Sequence, residues 1–229
     1  MLTEYHCHVL PGLDDGSQNL GTSLAMLEMM KDQGVKRVVF TPHFYCHREE
    51  SVESFLEKRQ AAFELLKEKS PIKNMLLGAE VAVENGISDV KDIEKLAIEG
   101  TSIMLMELPY RKYEQWMSEE MYNISVEYGI DIMLAHIHRY VDYCNDDEIE
   151  SLIFSNAIMQ VNNDAFSHIK EKKLAKRIID ECDSFVFGSD CHNIDDRMPN
   201  WDVLKRKVSE SELELSDGII ENYSCVLHR

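Results

Sequence analysis

Short apolar segments alternate with amphipathic segments along most of the chain, and this alternation restricts the fold more than any other feature. Leu20, Leu24, Leu27 and Met30 recur at helical spacing, for example, and an apolar run at 35–40 follows them. The predicted helices are residues 19–33, 51–69, 89–98, 114–128, 146–154 and 167–181, and the predicted strands are 35–40, 75–80, 102–106, 130–135, 157–161 and 184–187. With a first strand near the N-terminus, these elements predict an α/β fold whose parallel sheet is covered by helices or closed into a barrel.

The length of the chain and its short connections indicate a single domain. A chain of 229 residues is long enough to bury a complete core. No low-complexity linker interrupts the alternation of predicted elements. We therefore expect one domain over residues 1–229, with residues 200–208 and 209–229 as closing helical segments.

Charge and cysteine content narrow the classes of partner and compartment. The chain has 42 Asp and Glu against 24 Lys and Arg, a formal charge of -18, which disfavours nucleic acid and anionic membranes because both are polyanions. Its six cysteines show no Cys-x-x-Cys spacing, so reduced thiols are expected. The sequence shows neither a signal-like N-terminus nor a run of about 18 apolar residues. We expect a cytoplasmic protein that does not span a membrane.

Side chains that commonly bind metals follow the predicted strands at their C-terminal ends. They are His43, Glu80, Glu107, His136, Asp190 and His192. In parallel α/β folds these strand ends meet at one rim, where functional side chains collect. A charged group buried there costs several kcal/mol unless it is paired or binds a metal. The set therefore predicts a shared metal site, and ordinary structural residues are the less favoured interpretation.

The stretch from His6 to Gly16 adds two histidines and a pair of aspartates. On a strand, His6 and His8 would project to the same side, and Asp14 and Asp15 follow on a turn. Solvated histidines on an edge strand beside an ordinary turn are the alternative. With one of the aspartates the rim has nine nitrogen and oxygen donors, more than one ion uses, so two or three ions are expected. Such donors suit zinc, manganese or iron better than calcium.

Two arginines indicate the kind of chemistry. Metal ions that share ligands activate water and clamp a substrate for hydrolysis at phosphorus or carbon. Arg139 and Arg197 lie close in sequence to predicted ligands, and arginine binds phosphate oxygens in bidentate fashion. Hydrolysis at phosphorus is therefore favoured, and a plain surface position for either arginine is the alternative.

Together these motifs resemble the PHP (polymerase and histidinol phosphatase) superfamily, and within it the bacterial metal-dependent tyrosine phosphatases of capsular and exopolysaccharide synthesis. The motifs that carry the resemblance are His6-x-His8, Leu10-Pro11-Gly12-x-Asp14-Asp15-Gly16, Thr41-Pro42-His43, Gly78-x-Glu80, Glu107-Leu108-Pro109, Leu134-Ala135-His136-x-x-Arg139-Tyr140 and Gly188-Ser189-Asp190-x-His192-Asn193. They follow the order of the family. The resemblance implies a distorted (β/α)7 TIM-like barrel with metal ions at the C-terminal ends of its strands.

The resemblance also implies which side chains hold three metal ions. The implied ligands are His6, His8, Glu80 and Asp190 for the first ion, Glu80 as a bridge with Glu107 and His136 for the second, and Asp15, His43 and His192 for the third. Asp14 is the alternative to Asp15. Manganese is the preferred metal, with iron, zinc or magnesium as alternatives. The phosphate-binding arginines of the family fall on Arg139 and Arg197.

Two positions depart from the pattern of the family. Glu4 stands where relatives have an aspartate two residues before the first histidine, and we expect this longer acid to orient a metal ligand differently. Ile137 and His138 stand where relatives have Pro-Glu before the arginine. Three interpretations of His138 stay open: a catalytic proton donor, a metal ligand, or a residue without a role in the reaction.

The resemblance implies a metal-dependent phosphomonoester hydrolase that acts on phosphotyrosine. The substrate expected from the family is the phosphorylated, tyrosine-rich tail of a bacterial tyrosine kinase in capsule or exopolysaccharide synthesis. One alternative is a small-molecule phosphatase of the histidinol phosphate type. Another is a degenerate barrel that binds a phosphorylated partner without turnover.

Overall fold

The computed structural model describes residues 1–153 and 155–224. Phe154, at the end of one predicted helix, and residues 225–229 of the predicted closing segment lie outside this range. The strands are β1 (Thr3–Glu4), β2 (Arg37–Phe40), β3 (His43–Phe44), β4 (Asn74–Leu77), β5 (Glu80–Ala82), β6 (Ile103–Glu107), β7 (Asp131–Leu134), β8 (Ile158–Asn162) and β9 (Phe185–Gly188). The helices are α1 (Leu20–Asp32), α2 (Val52–Lys67), α3 (Gln115–Tyr128), α4 (Asp146–Ile153), α5 (Ile169–Glu181), α6 (Trp201–Leu204), α7 (Glu210–Asp217) and α8 (Ile219–Asn222).

The strands are parallel and form two sheets, with the orders β1-β2-β4 and β3-β5-β6-β7-β8-β9. β3 begins three residues after β2, and β5 begins three residues after β4, so the sheets continue one another. The outer edges meet where Cys7 pairs with Cys191 in a parallel bridge and the Asp190 amide donates to the His6 carbonyl at 2.8 Å. The two parallel sheets and the bridge between their outer edges form a barrel-like arrangement, and the predicted α/β fold is confirmed.

Alternate residues of the strands face two different apolar layers. In β6, Ile103 and Leu105 belong to a small cluster inside the barrel, whereas Met104 and Met106 belong to the large cluster between the strands and the helices. This is the period of two that a strand imposes. Because both faces are covered, the strands are apolar almost throughout, as expected of a buried parallel sheet.

Side-chain caps explain where the first two helices begin. The Asn19 side chain accepts a hydrogen bond from the Thr22 amide at the start of α1, and the Ser51 side chain accepts one from the Ser54 amide at the start of α2. These bonds satisfy N–H groups that a helix leaves unpaired at its first turn. In the part of the chain that the structure describes, no helix combines the length and apolarity needed to cross a membrane.

The predicted helix at residues 89–98 is wrong. The structure has two separate 3₁₀ turns there, Ile87–Asp89 and Ile93–Leu96. Asp92 lies between them with a φ of 64°, a left-handed conformation that interrupts a right-handed helix. The isoleucine and leucine side chains of both turns are fully buried. Local helical spacing was therefore overridden by the packing of these apolar side chains.

The two ends of the described chain pack together at the barrel. β1 ends before the two histidines that were expected on a strand, and His6 and His8 lie just beyond it in the segment that pairs with the chain after β9. The closing segment forms α6, α7 and α8. Ile219 and Ile220 of α8 join the inner apolar cluster, and the Tyr5 hydroxyl donates to the carbonyl of Asp217 at 3.2 Å.

Candidate metal centre

The inner face of the barrel changes from apolar to polar toward the C-terminal ends of the strands. Along β8, Ile158 lies in the inner apolar cluster, and Gln160 and Asn162 follow it in the same phase, both fully buried. Along β6, Glu107 follows Leu105 in the same way. The period of two therefore carries polar side chains to the rim. The sequence placed its predicted site at this rim.

The first group of donors consists of His6, His8, Glu80 and Asp190, which are all buried. Nε2 of His6 and Nε2 of His8 each lie 3.1 Å from Oε2 of Glu80. The same two nitrogens lie 3.6 Å and 3.5 Å from Oδ1 of Asp190. Two imidazole nitrogens and two carboxylate oxygens thus converge, as the ligands of one metal ion do.

Glu80 connects this first group to a second. Its Oε1 lies 3.0 Å from Nε2 of His136, which in turn lies 3.3 Å from Oε1 of Glu107. Its Oε2 faces His6 and His8. One carboxylate therefore presents a different oxygen to each group, which is the arrangement of a ligand that bridges two metal ions.

A third group lies beside the first and consists of Asp15, His43 and His192. Oδ1 of Asp15 lies 3.5 Å from Nε2 of His43 and 3.4 Å from Nε2 of His192. Together with His8, these side chains offer donor atoms within 4.8 Å of one another. The Asp15 side chain is 64 % exposed, so this group opens toward solvent.

Three donor atoms in these groups are buried and have no hydrogen-bond partner among the described residues. They are Nδ1 of His43, Oε2 of Glu80 and Nε2 of His192. A buried polar atom left unpaired costs about 1–3 kcal/mol. Bound divalent cations would satisfy Oε2 of Glu80 and Nε2 of His192, whereas Nδ1 of His43 lies 3.1 Å from Oε2 of Glu80. Mixed imidazole and carboxylate donors suit such ions. The residues at the rim therefore fit a metal centre.

The two neighbouring aspartates of the opening stretch make different contacts. Oδ2 of Asp14 accepts a hydrogen bond from Nδ1 of His8 at 2.7 Å and from the His43 amide at 3.0 Å. Asp14 thereby orients the His8 ring with its Nε2 toward the first group. Asp15 faces the third group instead. The geometry thus favours Asp15 over Asp14 as a metal ligand.

Gln160 and Glu4 form hydrogen bonds that support the residues of the first and second groups. Oε1 of Gln160 accepts hydrogen bonds from Nδ1 of His6 at 3.0 Å and from the His136 amide at 2.6 Å. Glu4 accepts from the His6 amide and from Nε1 of Trp201, and burial raises the pKa of Glu4 to about 6. Glu4 therefore orients the backbone rather than the His6 ring. Sequence reasoning missed Gln160, although a polar residue inside an apolar strand was a signal for it.

Two donor residues have unusual backbone conformations. His136 has a φ of 32° and Asp190 a φ of 52°, both in the left-handed region. Such conformations cost about 1–3 kcal/mol for a residue other than glycine and concentrate at functional sites. Each residue lies two positions beyond the end of a strand, where the backbone turns away from the sheet. Strand periodicity therefore does not set the direction of these two side chains.

Arg139 and Arg197 line a cleft of about 610 Å³ above the donor groups, hereafter the cleft. Nη1 of Arg139 donates to Oδ2 of Asp190 at 2.9 Å, and Nη2 of Arg197 donates to Oδ1 at 3.1 Å. The Tyr110 hydroxyl accepts from Arg139 at 3.4 Å, and its ring stacks on His136 at 5.8 Å. Tyr110 was not predicted, although it directly follows the Glu107-Leu108-Pro109 motif. Two guanidinium groups beside the donors make the cleft a site for an anion.

His138 belongs to none of the three donor groups and does not line the cleft. Its side chain is fully buried, and its Nδ1 accepts a hydrogen bond from the Asn162 amide at 3.4 Å. Nε2 lies 3.9 Å from Oε2 of Glu171 in α5. Burial and the nearby charges of His136 and Arg139 hold the pKa of His138 well below its usual range, so the ring is neutral. These contacts favour a structural role.

The fold and the three donor groups define a parallel α/β barrel with a candidate centre for several metal ions beside an arginine-lined cleft. The chain belongs to the family described as "Capsular polysaccharide synthesis, CpsB/CapC", whose family model matches residues 2–224.

Individual relatives agree with this assignment over most of their length. The chain is 24% identical over 205 residues to tyrosine-protein phosphatase YwqE of Bacillus subtilis (strain 168), across 86% of this chain and 79% of the relative. It is 26% identical over 225 residues to tyrosine-protein phosphatase CpsB of Streptococcus pneumoniae, across 90% of each. A structure solved in work on YwqE from Bacillus subtilis and CpsB from Streptococcus pneumoniae has a TM-score of 0.77 at 20% identity, over 97% of this chain and 95% of that chain. This last likeness concerns the fold.

Proposed function

We propose that this protein is a metal-dependent phosphatase that hydrolyses phosphotyrosine in proteins. The observation that carries the proposal is the Glu80 carboxylate, whose two oxygens face two donor groups beside Arg139 and Arg197. Such a pair of groups suits hydrolysis at phosphorus. The relatives named tyrosine-protein phosphatases support the same reaction.

The three donor groups would hold two or three divalent ions. The proposed ligands are His6, His8, Glu80 and Asp190 in the first group, Glu80, Glu107 and His136 in the second, and Asp15, His43 and His192 in the third. Manganese is the proposed metal, with iron, zinc or magnesium as alternatives. When bound, such ions supply Lewis acidity to the phosphoryl group and make water nucleophilic near neutral pH.

The two arginines would bind the phosphoryl group. Both now contact Asp190, and a phosphate in the cleft offers them more acceptor oxygens and more negative charge. Their role is to hold the phosphoryl oxygens and to neutralise the charge that develops in the transition state. Tyr110 would position Arg139 through its hydroxyl.

The leaving group needs little help from the protein. The phenol of tyrosine has a pKa near 10, so its departure depends less on a general acid than that of an alkyl alcohol. His138 is buried outside the lining of the cleft. We therefore assign His138 to the packing of the segment that carries Arg139 and not to proton transfer.

The proposed substrate is phosphotyrosine on a bacterial tyrosine kinase that acts in capsule or exopolysaccharide synthesis, in the cytoplasm. The description of the family names capsular polysaccharide synthesis, which supports this setting. The open cleft, which is lined by Tyr45, Tyr110 and Pro109, has room for an aryl phosphate presented by a protein segment.

The proposal is tested by comparing substrates on manganese-loaded protein whose metal content is measured by mass spectrometry. We expect two or three ions per chain and a higher kcat/KM for a phosphotyrosyl peptide than for histidinol phosphate. A higher kcat/KM for histidinol phosphate would instead support a small-molecule phosphatase. Fewer than two ions per chain, with no hydrolysis of an aryl phosphate, would mean a barrel that binds without turnover.

A further inference from the structure

Arg48 lies at the mouth of the cleft, in the loop between β3 and α2. It also lines a second cavity of about 350 Å³, hereafter the side cavity. The cleft and the side cavity share Asp15, His43, Tyr45 and Arg48. A peptide segment that places one residue in the cleft therefore has a path past Arg48.

Hydrogen bonds to Glu84 and within the loop itself hold the loop that carries Arg48 in place. Oε2 of Glu84 accepts a hydrogen bond from the Cys46 amide at 2.7 Å, and Oε1 of Glu84 accepts one from Nδ1 of His47. The Arg48 amide donates to the Tyr45 carbonyl at 3.0 Å, which closes a turn. Because these bonds fix the backbone, the point from which the Arg48 side chain leaves the loop is set before any ligand arrives.

The guanidinium group of Arg48 rests on an aromatic ring. Its Cζ lies 4.2 Å from the centroid of the Tyr45 ring, within the range of a cation–π contact. Nε of Arg48 donates to Nε2 of His47 at 3.3 Å. The Tyr45 ring in turn packs on His43 with centroids 5.2 Å apart. The terminal nitrogens of the guanidinium group thus remain available at the mouth.

Arg48 makes no ion pair within 4.0 Å among the described residues, although acidic residues exceed basic ones in this chain. Arg139 and Arg197, in contrast, both contact Asp190. The acids around the side cavity already have partners, since Asp14 binds His8 and Glu49 binds Lys58. Asp15, the third of these acids, faces His43 and His192. Among the described residues, the positive charge of Arg48 is therefore left without an acidic partner.

We propose that Arg48 is a specificity-determining residue that binds the carboxylate of an acidic side chain next to the phosphotyrosine of the substrate. A guanidinium group matches a carboxylate through two parallel hydrogen bonds. Arg139 and Arg197 bind the phosphoryl group, so Arg48 is available to bind a second negative charge next to it. This inference rests on the proposed phosphatase function.

The experiment is a double-mutant cycle between protein and peptide. Two phosphotyrosyl peptides differ only in Glu or Gln beside the phosphotyrosine, and each is tested on the manganese-loaded wild type, Arg48→Ala and Arg206→Ala. Arg206 is the matched control because it is also exposed, has no ion pair within 4.0 Å among the described residues and does not line the cleft.

We expect the wild type to prefer the Glu peptide by about two- to fivefold in kcat/KM, as measured for exposed ion pairs. The preference should arise in KM, fall to about one in Arg48→Ala and shrink at high ionic strength. Arg206→Ala should keep the wild-type ratio. An equal preference in wild type and Arg48→Ala, or an equal loss in Arg206→Ala, would overturn the inference.

The two proposals fail in different ways. If the wild type hydrolysed neither peptide, the phosphatase function would be wrong. The role of Arg48 would then be decided by a binding experiment. Fluorescence anisotropy would measure the affinity of the protein for the same two peptides with a phosphonate in place of the phosphate. The same ratio of affinities for the Glu and Gln peptides in wild type and Arg48→Ala would overturn it in that case too.

Discussion

At the scale of single residues, adjacent and identical side chains have different surroundings. Asp14 is tied to His8 and to the His43 amide, whereas Asp15 faces the Nε2 atoms of His43 and His192. A histidine that donates one ring nitrogen to a carboxylate keeps the other free for a metal. The contacts thus support Asp15 as a ligand and Asp14 as the residue that orients His8.

This difference predicts distinct metal contents for two isosteric variants. Asp15→Asn should lower the number of manganese ions per chain by one, because a charged ligand is lost. Asp14→Asn should keep the number at saturating manganese but weaken the affinity by about 10–100-fold. Mass spectrometry of the dialysed proteins and titration with manganese measure both quantities. The opposite pattern would make Asp14 the ligand.

The arginines of the cleft predict a loss of rate without a loss of metal. Arg139→Ala and Arg197→Ala should each lower kcat/KM for an aryl phosphate by about 10²–10³-fold, since each removes a donor to a developing charge. Both variants should retain their manganese content. Arg206→Ala is the control and should have wild-type activity. A loss of less than twofold in Arg139→Ala would contradict the role assigned to this residue.

At the scale of elements, helix α3 fixes the loop that follows β5. Glu120 of α3 accepts hydrogen bonds from the Gly86 amide at 2.7 Å and from the Ser88 amide at 3.0 Å. Burial raises the pKa of Glu120, but the hydrogen bonds from Ser88 and Gly86 lower this pKa by more than burial raises it. The pKa of Glu120 therefore lies below its ordinary value. The charged form of Glu120 therefore stabilises the folded state. This links α3 to the strand that begins with Glu80.

The lowered pKa predicts a pH-dependent effect of Glu120→Gln. Because the folded pKa lies below the unfolded value of about 4.3, the stabilisation is complete above that pH and is lost as the pH falls through the folded pKa. For a half-buried group, partly screened by solvent, we expect about 1 kcal/mol at pH 7, or about 2–4 °C in Tm. Thermal unfolding of both proteins from pH 7 down to acidic pH measures the difference. A difference that grows toward acidic pH would contradict this assignment.

At the scale of the whole molecule, a net charge of -18 coincides with a cluster of buried carboxylates and histidines at one end of the barrel. Glu80 and Asp190 are buried close together, and their side-chain partners among the described residues are histidine, arginine and asparagine. Divalent cations at the rim would offset part of this negative charge. Metal binding is therefore expected to stabilise the fold as well as to serve the reaction.

Removal of metal predicts a change in stability. Chelation followed by dialysis should lower Tm, and added manganese should restore it in a concentration-dependent manner. At a manganese concentration 100 times Kd the stabilisation is about 2.7 kcal/mol for each ion that binds only the folded state. Calorimetry across a manganese series measures this. An unchanged Tm in the chelated protein would contradict the proposed metal centre.

The elements of the barrel were predictable because their signals are local. Apolar runs bounded by glycine or polar residues predicted β6 and β8 to within one residue at each end, and the helical spacing of apolar residues predicted α1 and α2 to within two residues at each end. The failure at residues 89–98 has a physical cause. Helical spacing there coexists with a left-handed Asp92 and with apolar side chains that are buried by the surrounding barrel.

The sequence by itself determined that donor residues would gather at one end of a parallel barrel, because strand direction and a period of two are properties of the chain. Only the tertiary structure decided that Glu80 faces two groups, that Asp15 rather than Asp14 faces the third, that His138 is buried and that Arg48 has no acidic partner in the described part of the chain. These facts depend on atoms that lie far apart in sequence. Their distances are set by sheet closure and by the left-handed turns at His136 and Asp190, which leave no periodic trace in the sequence.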